Sequence, residues 1–443
     1  MSSAIFSRNT HKKYVKFARG EHIYLYSDVG KRYIDGASGT VIANIGHGRS
    51  DIAKVMAHQA ETLAFAAPVV ATTEPAEKLA ERIAALAPPE FTKVWYQTSG
   101  SEGNEAAIKL ARVVHVESGN EGKYLVVGRW QSYHGTTVAS LSVTGHTPRR
   151  HPFEPMLLPY PHIVSPYCYR CPFGKTAESC ALECAHDLER VIQQTNPSVV
   201  SAFLCEPVVG SGAGVIYPRD GYYEVVREIC DKYNIIWIVD EVMTGFWRTG
   251  PTFAFQHWTA EPDVIVFAKG VTAGYAPLAG MIVKQKHYDV VDGGSGTLKA
   301  AGTLAGNPVS CAVGLKVLDI MKDEKIPQRV LDLGPHFHSC MEELREFDIV
   351  GDVRVKGLLG AVEFVKDKKT AEPFPAQIGL FNKVVHAAFE RGLMIYGEKG
   401  IIDGTHGDIV MVAPPLVASK EEIAEIVRLL AEAVKKVQEE VTS

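Results

Sequence analysis

The stretch IIWIVDEVMTGFWRTG at residues 235–250 decides the fold. Its apolar, largely β-branched run ends at two adjacent carboxylates, Asp240 and Glu241. A short and fully apolar run is typical of a strand that is buried on both faces of a sheet. A carboxylate at the end of such a strand is costly to bury unless a cationic group meets it. The stretch therefore predicts an α/β fold and raises the question of which cation this strand end binds.

Other short apolar runs repeat the pattern along the middle of the chain, at residues 123–127 (KYLVV), 202–207 (AFLCEP) and 263–270 (DVIVFAKG). Helical patterns separate these runs, which predicts a mostly parallel sheet with helices on both faces. Ligands bind such open sheets beyond the carboxyl ends of the strands. Because Glu206, Asp240 and Lys269 each stand at the end of a run, we expect them to line one crevice.

The composition is that of a globular protein, with 46% hydrophobic and 22% charged residues among 443. Acids and bases are well mixed at a net charge of −5, which gives no footprint for nucleic acid. The sequence has no uninterrupted apolar stretch of about 18 residues, so we expect no membrane span. The first residues have no apolar core of signal-peptide length. We therefore expect a soluble, cytoplasmic protein.

The two ends of the chain have a different pattern from the middle. Residues 27–36 (SDVGKRYIDG) have a hairpin-like pattern with a Val-Gly turn. Near the other end, Ser419 and Glu422 form a predicted capping box ahead of an apolar stripe at helical spacing. We expect a large α/β domain at residues 57–332 and a smaller domain assembled from residues 1–56 and 333–443.

The segment at residues 98–112 (TSGSEGNEAAIKLAR) places Gly100 and Ser101 just before a predicted helix. A strand, a turn of small residues and a helix N-terminus make an anion site, since free backbone N–H groups point outward there. The alternative is an ordinary helix cap by Ser101, with Glu102 at the positive helix end. The segment alone does not separate these two interpretations.

Lys269 directly follows an apolar strand pattern. A lysine at that position has a partly desolvated ammonium group, which lowers its pKa and favours a nucleophilic amine. The alternative is a lysine that extends its charge into solvent. An anion site, a desolvated lysine and a buried Asp240 at converging strand ends together match the demands of pyridoxal phosphate, whose protonated ring nitrogen would be the cation that Asp240 meets.

Four of the eight cysteines lie close together in the sequence, at Cys168, Cys171, Cys180 and Cys184. The first two have the C-x-x-C spacing that suits zinc or an iron–sulfur cluster, and the other two could supply further ligands. The overall spacing matches no metal motif closely, and the alternative is a surface loop with free thiols. We expect no bound metal, with this four-cysteine site as the alternative.

The motifs together resemble the class III aminotransferases, which are pyridoxal-phosphate enzymes of fold type I. The resemblance rests on SGSEGNEAAIK at residues 99–109, YHG at 133–135, DEVMTGFWRTG at 240–250, PDVIVFAKG at 262–270 and GTLAGNP at 302–308. Gly103 stands where the family usually has alanine, and Trp247 where it usually has glycine. The resemblance implies a large domain with a mostly parallel sheet and a smaller α+β domain from both termini.

The resemblance implies that Lys269 and Asp240 are the catalytic residues. Lys269 would form the internal aldimine and then carry the proton between the substrate carbon and the cofactor. Asp240 would pair with the pyridine nitrogen. His134 lies beside a stacked aromatic residue, and the alternative to a functional role for it is a structural one. Arg248 is expected to be a structural or rim arginine rather than a substrate ligand.

The cofactor-binding residues that the resemblance implies are Ser99, Gly100, Ser101, Tyr133, His134, Glu206, Asp240, Val242, Lys269 and Thr303. Tyr133 would stack on the cofactor ring, and Gly100 and Ser101 would donate to its phosphate. Glu206 would hold the polar network on the aspartate side. Thr303 would reach the phosphate of the neighbouring subunit's cofactor, which makes a homodimer or a tetramer the expected assembly.

Two departures from the family pattern bear on the substrate. In the 4-aminobutyrate enzymes, a glutamate and an arginine occupy the positions of Ser211 and Met411, and the arginine binds the α-carboxylate of glutamate or 2-oxoglutarate. Methionine cannot replace an arginine fork at a carboxylate. In the loop at residues 396–408 (YGEKGIIDGTHGD), Lys399 and His406 are the possible cationic groups. Pyruvate is the favoured acceptor, but its carboxylate site is not located.

The resemblance implies an aminotransferase that moves an amino group from an ω-amino acid or amine to a 2-oxo acid. The alternative on the same fold is an epimerase, a racemase or an aminomutase, because these enzymes keep the same lysine, aspartate and phosphate loop. A third interpretation is an inactive protein kept for binding or assembly. Since such a protein is expected to lose Lys269 or Asp240, the sequence disfavours it.

Overall fold

The computed structural model of the chain describes residues 4–442. Its strands are, in chain order, β1 (Phe17–Glu21), β2 (Tyr24–Ser27), β3 (Arg32–Asp35), β4 (Phe91–Gln97), β5 (Leu125–Arg129), β6 (His162–Ile163), β7 (Val200–Cys205), β8 (Ile236–Asp240), β9 (Val264–Phe267), β10 (Ala279–Lys284), β11 (Val350–Lys356), β12 (Leu359–Phe364), β13 (Leu393–Met394), β14 (Tyr396–Lys399) and β15 (Asp408–Val412). Its α-helices are α1 (Ser38–Val41), α2 (Ser50–Thr62), α3 (Glu74–Leu86), α4 (Gly100–Glu117), α5 (Val138–Val143), α6 (Thr147–Arg150), α7 (Glu183–Thr195), α8 (Tyr222–Lys232), α9 (Gln285–Gly293), α10 (Pro308–Asp323), α11 (Ile326–Glu342), α12 (Leu380–Glu390) and α13 (Lys420–Thr442).

A seven-stranded sheet forms the centre of the molecule, in the order β4-β10-β9-β8-β7-β5-β6. Neighbouring strands are parallel except at β10, which runs antiparallel to both β4 and β9. The mostly parallel sheet expected from the apolar runs is therefore confirmed. The structure adds one antiparallel strand, which lies second from the edge.

The residues of β8 show why the sequence lacks an alternating pattern here. Trp237 and Val239 belong to one apolar core cluster, whereas Ile236 and Ile238 belong to a second. Because successive side chains of a strand point to opposite faces, the two clusters lie on opposite faces of the sheet. Both faces are covered, so every position of the strand is apolar until it reaches Asp240.

The two ends of the chain meet in the same small sheet. In the order β1-β2-β3-β13, the N-terminal strand β3 pairs in parallel with β13, with Ile34 opposite Leu393. A further four-stranded sheet has the order β11-β12-β15-β14. The domain boundaries expected near residues 57 and 333 fall inside α2 and α11, and they stay predictions.

Helix α13 begins as its sequence predicts. The Ser419 backbone N–H donates to the Glu422 carboxylate at 2.8 Å, and the Glu422 N–H donates back to the Ser419 hydroxyl at 3.2 Å. This reciprocal pair is a capping box. The apolar stripe expected on the helix is buried in the chain's own core, at Ile423, Ile426, Leu430, Val434 and Val437.

Arg248 connects the strand-end region to the terminal segments. Its side chain is fully buried, and the guanidinium group donates to the carbonyl oxygens of Leu358 at 3.1 Å and Pro414 at 2.6 Å. It also donates to the side chain of Asn44 at 2.7 Å. Burial lowers its pKa to about 9. Arg248 is therefore a structural arginine rather than a substrate ligand.

The four clustered cysteines are the residues of the alternative metal site. Within residues 4–442, no group of three or more His, Cys, Asp or Glu side chains is arranged to hold a metal ion. All four thiols are free, and Cys168 is exposed. Burial and the neighbouring thiols raise the pKa of Cys184 to about 12. The expectation of no bound metal and the alternative of a metal site at Cys168, Cys171, Cys180 and Cys184 both stay predictions.

None of the helices within residues 4–442 combines the length and the apolar character that crossing a bilayer requires.

Candidate active site

The three residues expected at the strand ends do come together. Strands β7, β8 and β9 are adjacent and parallel, so their carboxyl ends share one edge of the sheet. Asp240 is the last residue of β8, Glu206 directly follows β7, and Lys269 lies two residues beyond β9. Glu206 and Asp240 are buried at this edge, and Lys269 is half-buried.

The Asp240 carboxylate is held by donors from three directions. One oxygen accepts from the Asn104 side-chain amide and from His134 Nδ1, both at 2.8 Å. The other oxygen accepts from the Val242 backbone N–H at 3.0 Å. An ionised carboxylate offers about four acceptor positions, so one position is left for a further donor. The carboxylate is fixed in place and can still accept from a cationic N–H group.

His134 acts on this carboxylate rather than on an open pocket. Its ring is completely buried, and its backbone N–H donates to the Thr144 hydroxyl at 2.8 Å. Its carbonyl oxygen accepts from the Asn104 amide at 2.7 Å. In the structure, His134 is therefore a positioning residue for Asp240, which is the structural alternative considered from the sequence. Its Nε2 atom is buried and has no partner within the described residues.

Glu206 positions the segment that carries Tyr133. One carboxylate oxygen accepts from the Tyr133 backbone N–H at 3.1 Å, and the other accepts from the Gly210 N–H at 2.9 Å. Burial raises the pKa of Glu206. Since both oxygens accept from backbone groups, the side chain fixes the course of the chain beside Asp240.

Lys269 is half-buried and its amine is unpaired. No hydrogen bond or ion pair of this amine is found within residues 4–442. Burial lowers its pKa to about 8, against the opposing charges of Asp240 and Glu206. Its backbone has φ 43°, in the left-handed region that residues with a Cβ seldom adopt. Strain of this kind is typical of functional positions, and a neutral amine near physiological pH is a good nucleophile.

The N-terminus of α4, the helix whose Asn104 donates to Asp240, offers free backbone donors. The N–H groups of Gly100 and Ser101 have no acceptor among the described residues, as expected for the first turn of a helix. The Ser101 hydroxyl accepts from the Thr136 N–H at 3.1 Å. Free donors and the positive end of an eighteen-residue helix make this turn suitable for a phosphate group.

The helix cap is Ser99 and not Ser101. The Ser99 hydroxyl accepts from the Glu102 N–H at 3.3 Å, and the Ser99 N–H donates to the Glu102 carboxylate at 3.0 Å. The interpretation of Ser101 as an ordinary cap is therefore wrong. Because the Ser99 side chain is engaged in this capping box, the donors of Gly100 and Ser101 are left for a ligand.

Small residues are required where Val242 and the YHG segment approach this turn. A Cβ added to Gly100 would lie 2.9 Å from the Val242 side chain. A Cβ added to Gly135, whose φ is 141°, would lie 2.4 Å from the Ser101 hydroxyl. Val242 therefore closes one side of the turn against Gly100. A larger residue at either glycine would displace the walls of the site.

A charged group that the sequence analysis missed lies over Tyr133. The guanidinium carbon of Arg149 is 4.1 Å from the centre of the Tyr133 ring, close enough for a cation–π contact. The same guanidinium group donates to the Tyr396 hydroxyl and to the Glu398 carboxylate. The adjacent arginines of the TGHTPRRHPF segment are visible in the sequence, but nothing local there indicates which of them faces the lysine.

The cations expected in the 396–408 loop do not face the lysine through a comparable contact. Lys399 is exposed, and His406 pairs with Asp403 at 2.8 Å near the surface. Met411 and Ser211, the two departures from the family pattern, are both buried. Thr303 is exposed, and its expected contact with a neighbouring subunit stays a prediction.

Trp247 occupies a position that favours glycine. Its backbone has φ 68°, inside the left-handed region. Glycine adopts this conformation at no steric cost, which explains why the family pattern has glycine here. The tryptophan ring packs against the large core cluster and meets Phe246 edge-on at 6.4 Å.

Comparisons with known proteins agree with this geometry. The model of the family "Aminotransferase class-III" matches residues 5–434. The chain is 33% identical to the putrescine–pyruvate aminotransferase of Pseudomonas aeruginosa, over 93% of this chain and 88% of that protein. It is also 33% identical to the diaminobutyrate–2-oxoglutarate transaminase of Halomonas elongata, over 96% and 90%.

Solved structures are similar over the same extent. The structure of an (S)-enantioselective omega-transaminase from Thermomicrobium roseum superposes with a TM-score of 0.89 at 34% sequence identity, over 96% of this chain and 92% of that one.

Proposed function

The chain belongs to the class III aminotransferases, and from that premise we propose that it moves an amino group from an ω-amino acid or amine donor to a 2-oxo acid, with pyruvate as the favoured acceptor, in a ping-pong cycle. The observation that carries this proposal is the unpaired amine of Lys269, whose pKa burial lowers to about 8, near the fixed carboxylate of Asp240. A binding or assembly protein has no need of such a pair.

The site residues fit pyridoxal phosphate. Gly100 and Ser101 would hold the phosphate through backbone N–H groups that have no other acceptor. Asp240 would use its remaining acceptor position for the ring nitrogen, and Tyr133 and Val242 would flank the ring. The cofactor, when bound, supplies a ring that accepts the electrons released at the substrate carbon. It therefore provides the cation that the strand end at Asp240 requires.

The residues of this chain do the remaining work. Lys269 would hold the cofactor covalently until a substrate amine displaces it, and its freed Nζ would then move the proton at the substrate carbon. Asn104 and His134 keep the Asp240 carboxylate in one orientation. Glu206 fixes the backbone that carries Tyr133.

The choice of pyruvate depends on two positions rather than on the relatives. The two relatives of equal identity use different acceptors by their names, so similarity does not favour either one. In this chain Met411 and Ser211 replace the arginine and glutamate of the 4-aminobutyrate enzymes, and Met411 is buried without any charge to offer. The arginine that binds the α-carboxylate of glutamate or 2-oxoglutarate in those enzymes is therefore absent here, and methionine cannot replace it.

The same proposal includes the assembly and the location. We expect a homodimer or a tetramer in which Thr303 of one subunit completes the phosphate site of the next. An exposed Thr303 in the single chain agrees with such a contact. We expect the enzyme in the cytoplasm.

The test is the visible absorbance of the purified holoenzyme with single amine donors and no oxo acid. The donors are L-alanine, L-glutamate, β-alanine, 4-aminobutyrate and an arylalkylamine. Stoichiometric conversion of the cofactor to its amine form by one donor supports transamination and names the donor class. If every donor shifts the absorbance band and none converts it, the epimerase, racemase or aminomutase alternative replaces the proposal.

A further inference from the structure

An arginine–glutamate pair lies beside the reacting lysine, at positions different from those of the family pattern. Arg149 stands at the end of α6, and Glu398 lies in β14. Their side chains are 17% and 15% exposed, so the ion pair is largely shielded from water. Tyr396, also in β14, accepts from the same guanidinium group and donates to Glu398. The pair is therefore held by a strand that comes from the C-terminal part of the chain.

Arg149 is within electrostatic reach of Lys269. Burial is the main cause that lowers the pKa of Lys269, and the positive charge of Arg149 adds to this effect. The guanidinium group also covers the ring of Tyr133 at 4.1 Å. Because Tyr133 is the residue expected to stack on the cofactor, Arg149 lies close to the expected cofactor site.

The pair lies on the same side of its sheet as Met411. In the β14–β15 ladder, Tyr396 is directly opposite Met411. Side chains of directly opposed residues lie on the same face of a sheet. Met411 occupies the position of the substrate arginine in the 4-aminobutyrate enzymes, and it therefore faces the same side as Tyr396. Tyr396 in turn accepts a hydrogen bond from Arg149.

The Arg149 guanidinium group has donors left for a ligand. A guanidinium group has about five N–H donors, and within residues 4–442 the hydrogen bonds of Arg149 use only Nη2. Its Nε atom is buried and has no hydrogen-bond partner within residues 4–442. Each edge of the fork that can hold both oxygens of a carboxylate includes Nη2, so two parallel hydrogen bonds to a ligand form when Glu398 leaves Nη2.

Other cations near the site are already engaged or exposed. The neighbouring Arg150 donates to the carbonyl oxygens of Ser142 at 2.8 Å and Thr144 at 2.7 Å, and it pairs with Glu154 at 3.0 Å. Lys399 is exposed, at the end of the strand that carries Glu398. Arg149 is therefore the better candidate for a substrate carboxylate.

We propose that Arg149 binds the carboxylate of the 2-oxo acid and that Glu398 takes its place when the substrate has none. This proposal rests on the proposed function, because it assigns a subsite to the second substrate of that reaction. A ping-pong enzyme must admit an amine without a carboxylate and an oxo acid with one at the same place. A largely buried guanidinium group without a partner is costly, and Glu398 removes that cost while the amine is bound.

The first experiment separates the two half-reactions of the holoenzyme in rapid mixing. The amine half-reaction uses an arylalkylamine without a carboxylate, and the acceptor half-reaction uses either pyruvate or acetaldehyde. Wild type is compared with Arg149→Gln, Arg149→Lys and Glu398→Gln. Lys399→Ala is the matched control, because it removes the nearest cation of the same loop that we do not place in the site.

We expect Arg149→Gln to raise the half-saturating concentration of pyruvate by on the order of 10- to 100-fold, as expected for the loss of a charge-assisted contact. The acetaldehyde and arylalkylamine reactions should change by less than about threefold, since neither substrate offers a carboxylate. Arg149→Lys should recover only part of the affinity, because an ammonium group cannot form the planar fork. Lys399→Ala should behave as wild type.

Glu398→Gln should have the opposite effect. The side chain that competes for Arg149 is neutralised, so pyruvate should saturate at a lower concentration. If the pair were merely structural, both substitutions would weaken pyruvate, acetaldehyde and amine reactions alike, and that pattern would overturn the proposal. If Arg149→Gln leaves the half-saturating concentration of pyruvate unchanged and Lys399→Ala raises it, the carboxylate is assigned to Lys399 instead.

A binding measurement makes the inference independent of turnover. Pyruvate and propionate are titrated calorimetrically into wild type and Arg149→Gln. If no amine converts the wild-type cofactor, the proposed function fails, yet carboxylate binding that is lost in Arg149→Gln still supports the subsite. Equal binding by both proteins overturns the subsite, whatever the amine experiments show.

Discussion

Substitution of Glu241 by glutamine should raise the stability of the folded protein above that of wild type at alkaline pH. At acidic pH the two proteins should be about equally stable. Glu241 is the second carboxylate of the stretch that decides the fold, and it is fully buried. No cation meets it among the described residues. One oxygen accepts from the Phe255 backbone N–H at 2.9 Å and the other from the Thr244 hydroxyl. Burial therefore raises its pKa from 4.5 to about 7.

The sign follows from proton binding. The folded state holds this proton more tightly than the unfolded state, so the contribution to stability is complete below pH 4.5 and is lost as the pH rises through about 7. At about 1.4 kcal/mol per pH unit, the difference in pKa corresponds to on the order of 3 kcal/mol. Glutamine is neutral at every pH and can keep both hydrogen bonds, through its carbonyl to Phe255 and its amide to Thr244.

The assay is thermal unfolding of the holoenzyme at several pH values between about 5 and 8.5, which span the shifted pKa. Glu241→Gln should unfold close to wild type at the acidic end and at a clearly higher temperature at the alkaline end. If the difference between the unfolding temperatures of the variant and the wild type is the same at every pH in this range, Glu241 does not titrate there and the reasoning is refuted.

Glu363 supplies the control of opposite sign. It is equally buried, but it accepts from Arg170 at 2.6 Å and Arg354 at 2.7 Å. These two arginines outweigh burial and lower its pKa, so its contribution is present above the unfolded pKa and is lost as the pH falls. Glu363→Gln should therefore lower stability at neutral pH, by about 3 kcal/mol, because Arg170 loses its carboxylate partner and Arg354 keeps only Asp352.

Further predictions concern the reacting groups. Lys269→Ala should abolish turnover while the cofactor still binds. Denaturation should then release the cofactor, and mass spectrometry should find no covalent adduct with the protein. Full activity would contradict the role of the lysine. In the apoenzyme, the rate of covalent attachment of added pyridoxal phosphate should rise up to a pH of about 8 and then level off, because only the neutral Lys269 amine reacts. With an ordinary lysine the rate would continue to rise at higher pH. Asp240→Asn should preserve the fold, as judged by circular dichroism, and lower kcat by on the order of 10- to 100-fold, the loss expected for a hydrogen bond to a charged group; an unchanged kcat would mean that the ring nitrogen pairs elsewhere. Thr303→Ala should raise the dissociation constant of the cofactor by about tenfold, as for one lost phosphate contact, and equal retention would place that contact on another residue.

The strand-end residues could be predicted because local sequence determines them. An apolar run that is buried on both faces predicts a parallel strand, and adjacent parallel strands end at one edge. Glu206, Asp240 and Lys269 could therefore be assigned to one crevice from the sequence. The cap at Ser99 could also be predicted, since Ser99 and Glu102 have capping-box spacing, but Ser101 was the only cap considered from the sequence, as one of two open interpretations.

The remaining contacts depend on residues that are far apart in the chain. Arg149 meets Tyr396 and Glu398 at separations of 247 and 249 residues, and no local pattern predicts such partners. His134 reaches Asp240 across 106 residues. The sequence raised one question for both carboxylates of the opening stretch, yet Glu241 is satisfied by a hydroxyl and a backbone N–H rather than by a cation.

The pairing of the two chain ends has a consequence for synthesis on the ribosome. Strand β3 emerges early, but its partner β13 is made some 360 residues later, with Ile34 opposite Leu393. The buried guanidinium group of Arg248 likewise waits for the carbonyl oxygen of Pro414. During translation, the early strand therefore exposes an unpaired edge, which is a template for association with other nascent chains. Completion of the C-terminal segment both closes that edge and satisfies the arginine beneath the site, so a chain released early is expected to aggregate rather than to persist as a partly active enzyme.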